Sequence, residues 1–223
     1  MESLAVKYNM LIACPEFSTK KYPGARWYQE GNVKDKEGEE GTIKPRNHWS
    51  FDAVNHIVAA VRARTHAKGK VIIFGHSAGG QFMHRYSLLD GRADVDAIVC
   101  ANAGWFTMPD DTTCYPYGTK GLGLSDADLA SAFALPVIML MGSEDVSREQ
   151  PFRATPEADA QGKNRMERCL HYFDACQKKA EELGVPFNWK KGVVEGAAHE
   201  GGKMAEGAMK LFCEEPLDET VGM

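Results

Sequence analysis

The chain has 223 residues, 43% hydrophobic and 26% charged, enough for one sizeable core and short for two, so a single domain over 1–223 is expected. Its 26 basic residues against 31 acidic ones give a net charge of −5, and no dense Lys/Arg block marks a nucleic-acid surface. No run reaches the roughly 18 to 20 apolar residues that span a bilayer, and MESLAVKYNMLIACP lacks a basic stretch and cleavage site, so a cytoplasmic protein without membrane contact is expected. Secretion stays open only if the N-terminus as given is incomplete.

In chain order, the strand candidates are NMLIAC (9–14), KVIIFG (70–75), VDAIVCA (95–101), PVIMLMG (136–142) and FNWKKGVVE (187–195). Helix-period segments fall between them, at 2–8, 49–67, 78–90, 126–133, 163–183 and 201–213. Gly184 followed by Pro186 stops the fifth of these. Such alternation predicts an α/β fold with a reduced, mostly parallel sheet of about five strands flanked by helices. Two segments break the alternation. Residues 15–48, charged and glycine-rich, read as a long surface excursion, and 102–124, dense in aromatics and Pro, as a structured loop at a strand end, where α/β proteins build their sites.

The six cysteines (Cys14, Cys100, Cys114, Cys169, Cys176, Cys213) have no CxxC spacing, and a chain this long folds on its core, so free thiols are expected. The seven histidines form no HExxH-like cluster, so no metal site is expected.

GHSAGG at 75–80 follows the apolar run VIIF and precedes a helical segment. A serine hydroxyl is a weak nucleophile until a base takes its proton, and it needs exposure above the sheet. Glycines around Ser77 permit the tight strand-to-helix turn that provides that exposure. An acid and then a histidine are expected at later strand ends. VIMLMG runs into SEDVS, which places Asp145 just past the strand, with neighbouring Glu144 as the alternative acid. After the last strand, EGAAHEGG sets His199 between glycines, so Ser77, Asp145 and His199 are the candidate catalytic residues. His76 is expected to pack beside the site and is a candidate substrate contact. His48, His56, His66, His84 and His171 lack this strand-end setting and are expected at the surface or in helix packing. Trp105, Phe106 and Tyr115 are candidates for an apolar substrate wall, with Met108, Tyr117, Trp27, Tyr28 and Trp49 as further ones.

GHSAGG, GSED and GAAHEGG resemble the α/β-hydrolase fold superfamily. LAVKYNMLIACPEF, RWYQEGNV, NAGWFTMPD and YPYG are similar to the esterases and lipase-like hydrolases related to polyhydroxybutyrate depolymerases and feruloyl esterases, a likeness running from residue 2 to about 212. The resemblance implies hydrolysis of small-molecule carboxylic esters without a cofactor. It also implies one oxyanion donor at the Ala78 backbone amide. The second donor comes from a loop marked by His-Gly, and no such pair precedes residues 2–8. A strand that the family places between those ending at Cys14 and Phe74 is therefore expected to be missing. Either these two strands pair, with the amides of Glu16 and Phe17 as the substitute donor, or the nucleophile strand keeps a vacant edge that a second copy could cover. Losing one donor costs about 2.7 to 4 kcal/mol in the transition state. The competing readings are a weak or inactive hydrolase-like binding protein, and a thioesterase or acyltransferase on the same three residues.

Overall fold

A computed structural model describes residues 2–36, 41–148 and 152–214. Four strands, β1 (Ile72–His76), β2 (Ala97–Ala101), β3 (Val137–Gly142) and β4 (Lys190–Val194), lie side by side in chain order, every neighbouring pair parallel. Every residue of β2 and β3 is buried, which is why AIVCA and VIMLMG are continuous apolar runs: a central parallel strand is covered on both faces.

Eight α-helices, α1 (Glu2–Lys7), α2 (Gly24–Trp27), α3 (Asp52–Thr65), α4 (Ala78–Leu89), α5 (Asp126–Phe133), α6 (Pro156–Gln161), α7 (Arg165–Leu183) and α8 (Gly201–Cys213), and one 3-10 turn at Arg46–His48 complete the described elements. The pleat of β2 divides the core. Ile98 and Cys100 face a large cluster with Phe82 and Tyr86 of α4, Phe133 of α5 and Tyr172 of α7. Ala97, Val99 and Ala101 face a smaller cluster with Met204, Ala208 and Met209 of α8, beside Leu4 of α1. Local chemistry sets the helix ends. Ser125 and Asp128 form a capping box, Asn164 caps α7, and Gly184 ends α7 at φ 65°. No described helix is long and apolar enough to cross a membrane.

Three expectations are corrected. Residues 9–14 form no strand: α1 closes with Met10 N–H donating to the Ala5 carbonyl, Asn9 turns at φ 48°, and Leu11 is 58% exposed. A strand exists only with a ladder neighbour, and β1 bonds only β2 among the described strands, so β1 is an edge and the direct pairing is not made. The excursion at 15–48, of which 37–40 lie outside the described residues, is not all surface. Glu30, Asn32, Val33 and Lys34 are buried, because the Gln29 carbonyl accepts from Arg85 of α4 and the Glu30 carbonyl from the Tyr115 hydroxyl. Helix α6 was also unforeseen, although Thr155 as N-cap and Pro156 in the first turn are ordinary start signals.

At the carboxyl end of the sheet, the buried Asn102 joins three segments. Its side-chain amide donates to the Ala198 carbonyl at 3.1 Å, and its carbonyl accepts from Gly142 N–H at 2.8 Å. Its backbone sits at φ 47°, which Asn tolerates better than most residues. Asn102→Ala takes the side-chain acceptor from the buried Gly142 N–H and one of two donors from the Ala198 carbonyl, which also accepts from Glu200 N–H, and is expected to cost about 1–3 kcal/mol, read by urea denaturation. An unchanged midpoint would show that the clip is not needed.

Candidate active site

Ser77 stands between β1 and α4 at φ 56°, ψ −113°, outside the regions that L-residues ordinarily occupy. Ser77 N–H donates to the Ala101 carbonyl and Gln81 N–H to the Ser77 carbonyl, both at 2.9 Å. The turn is therefore anchored to the next strand and to its own helix. A Cβ on Gly75 would lie 2.3 Å from the Gly79 carbonyl oxygen, and one on Gly80 2.5 Å from that of Ala101. These two glycines let the strand, helix and neighbouring strand approach. A Cβ on Gly79 would meet only the Tyr28 hydroxyl, at 3.5 Å, so this glycine leaves open space beside the serine.

Two further turns bring the partners in. Asp145 follows β3 and His199 follows β4, and their loops are stitched together by Ser143 N–H to the Val194 carbonyl and Glu144 N–H to the Ala197 carbonyl. A side chain at Gly142 would sit 2.4 Å from the Ala197 carbonyl oxygen, so the glycine at the end of β3 permits this contact. His199 Nε2 lies 2.9 Å from Ser77 Oγ, and His199 Nδ1 lies 2.7 Å from Asp145 Oδ2. A carboxylate only accepts, so the proton sits on Nδ1, and the Nε2 lone pair faces the serine hydroxyl. Asp145 is 3% exposed whereas Glu144 points to solvent, which decides between the two acids as the histidine's neighbour.

Sequence reasoning missed two residues here. Asn102 clips the strand ends, and Arg165, the first residue of α7, donates from Nη1 to Asp145 Oδ1 at 3.1 Å. Asn102 opens NAGWFTMPD, but that stretch does not mark its contacts, and Arg165 is twenty positions beyond Asp145 and reaches it only through the packing of α7.

The remaining candidates are placed as follows. His76 stacks obliquely on His199 with ring centroids 4.7 Å apart. Trp105, Phe106 and Tyr115 are each no more than 2% exposed. Trp105 lies between the Arg85 and Arg153 guanidinium groups, Phe106 stacks on Tyr172, and Tyr115 reaches the Glu30 carbonyl. These rings brace the 102–124 loop and present no face to solvent. Ala78 opens α4, where first-turn amides have no partner within the helix. The expected substitute donor at Phe17 required a strand at 9–14, which is absent, and the Phe17 ring instead packs on Tyr22, Tyr28 and Phe82. Phe17, Tyr22 and Tyr28 line a cleft of about 480 Å³ whose Tyr28 hydroxyl borders the open side of Gly79.

A parallel sheet whose first described strand ends in a strained serine turn, with an acid and a histidine after its last two, defines a hydrolase of the α/β-hydrolase class. No protein-family model and no curated sequence matches the chain. Among solved structures it is similar to poly(aspartic acid) hydrolase-1 from Sphingomonas sp. KT-1, with 34% identity and a TM-score of 0.85 over 94% of this chain and 80% of that one. It is also similar to LpqC, a poly(3-hydroxybutyrate) depolymerase from Bordetella parapertussis, with 32% identity and a TM-score of 0.87 over 98% of this chain and 75% of that one. The chain belongs to the α/β-hydrolase family of serine hydrolases that these two enzymes represent.

Burial, and after it the neighbouring His199, hold the His76 imidazole down at about 4, below its ordinary 6.5. The unfolded chain takes up a proton at His76 near pH 6.5 that the folded chain refuses until about pH 4, so this residue removes stability as pH falls through that window. Between pH 7.5 and pH 5, His76→Gln is expected to lose less thermal stability than the unsubstituted protein. Equal losses would contradict the assignment.

Proposed function

We propose that this hydrolase cleaves carboxylic esters through an acyl-enzyme on Ser77. The observation that carries the reading is the continuous chain from Ser77 Oγ through His199 to Asp145, at 2.9 and 2.7 Å. Ser77 Oγ attacks the ester carbonyl carbon while His199 Nε2 takes its proton. Asp145 holds the imidazole in the required tautomer and favours the imidazolium. The oxyanion of the tetrahedral adduct accepts from the Ala78 amide. Collapse of the adduct breaks the bond to the alkoxide, which leaves as alcohol with the proton from His199. Water, deprotonated by the same nitrogen, then attacks the acyl carbon, and Ser77 recovers its proton as the carboxylic acid departs.

The substrate's apolar portion is assigned to the cleft lined by Phe17, Tyr22 and Tyr28, which adjoins the open side of the turn. The polyester cut by LpqC supports an ester substrate, and poly(aspartic acid) is the amide-bonded polymer to set against it.

Hydrolysis of p-nitrophenyl acetate and butyrate tests the reading. The unsubstituted chain is expected to turn over, with Ser77→Ala reducing kcat by about 10⁴-fold or more. Undiminished activity in Ser77→Ala, or release of fragments from poly(aspartic acid) with no cleavage of any ester, would overturn it.

A further inference from the structure

We propose that Arg165 is a positioning residue for the triad: it grips the second oxygen of Asp145 and so fixes the carboxylate that orients His199. The proposal rests on the reading of Ser77, His199 and Asp145 as the catalytic chain. Asp145 and Arg165 have side chains 2% and 5% exposed, and Arg165 Nη1 meets Oδ1 at 3.1 Å while Oδ2 is taken by His199 Nδ1 at 2.7 Å. Both oxygens of a dry carboxylate are thus engaged, one by the catalytic base and one by a fixed cation.

The placement is not explained by the helix. Arg165 occupies the first position of α7, at the end where the helix dipole disfavours positive charge. Asn164 already caps that end, accepting from Glu167 N–H. Burying a guanidinium there is unfavourable without a matched anion, and Asp145 is that anion. Arg165 also lies over the Phe152 ring, 5.2 Å from its centroid, which limits where the guanidinium can go.

The groups facing this pair are His199 from the loop after β4, His76 from the end of β1, and the buried Arg168 guanidinium of α7, which shares the Phe152 ring with Arg165. His199 takes Oδ2 and Arg165 takes Oδ1. If it is removed, one carboxylate oxygen stays buried without its cation. The carboxyl group is then free to rotate, and it no longer accepts well from His199 Nδ1–H. The imidazole loses its set tautomer, and the Nε2 lone pair no longer faces Ser77.

The test compares Arg165→Gln, Arg165→Met and Arg165→Lys with the unsubstituted protein, each checked for folding by circular dichroism and thermal melting. Folded Arg165→Gln is expected to lose about 10²-fold in kcat with KM little changed, as for other small misplacements of a reacting group. Arg165→Met, which keeps the length and the packing on Phe152, serves if the Gln variant does not fold. Arg165→Lys is expected to recover most of the loss, because it restores a cation near Oδ1. In proton NMR, the downfield imidazole N–H signal of the His199–Asp145 bond should be present in the unsubstituted and Lys proteins and lost in the Gln and Met variants. This arm needs no turnover, so an inactive parent that shows the signal change would sink the ester reading and keep the Arg165 role. Folded Gln or Met variants with parental kcat and an unmoved signal would overturn the role.

Discussion

Everything in the site hangs on one backbone position that is unfavourable in itself. Ser77 adopts φ 56°, ψ −113° only because the structure around it leaves no alternative. Its amide is tied to β2 through the Ala101 carbonyl, its carbonyl to Gln81 in α4, and the close approach of these elements is possible because Gly75 and Gly80 lack side chains. The consequence is a hydroxyl that stands clear of both strand and helix, at the end of the sheet where the other two turns arrive.

Those turns are held by hydrogen bonds to backbone groups of neighbouring loops rather than by the side chains of Ser77, His199 and Asp145. Asn102 clips Gly142 to Ala198, Ser143 and Glu144 bond into the histidine loop, and Gly142 allows that loop to lie close. The side chains of Ser77, His199 and Asp145 are therefore delivered to one another by the scaffold, and their mutual contacts do not have to hold it together. Arg165 extends this logic by one residue, from α7 to the far oxygen of Asp145.

What could be read from the sequence followed from local signals. The buried strands, the long helices, the Gly184 stop, the glycine-flanked serine, and the order of acid and histidine are all written in short windows, and residues 72–76, 97–101, 137–142, 165–183 and 201–213 lie where those windows put them. What could not be read depended on distant neighbours. NMLIAC has strand composition but no ladder partner among the described residues, so it is irregular chain. Trp105, Phe106 and Tyr115 have the composition of a pocket wall, yet Arg85, Tyr172 and the Glu30 carbonyl take them into the interior. Arg165 lies in no quoted motif and Asn102 only opens NAGWFTMPD, and the contacts of both arise only where separate elements meet.

The most direct test of a Ser77 nucleophile is to treat the protein with a fluorophosphonate at neutral pH and map the adduct by peptide mass spectrometry. The account predicts one equivalent of label, on the peptide that carries Ser77, and a strongly slowed reaction in His199→Gln. Label on another residue, or no label on a folded protein, would contradict it.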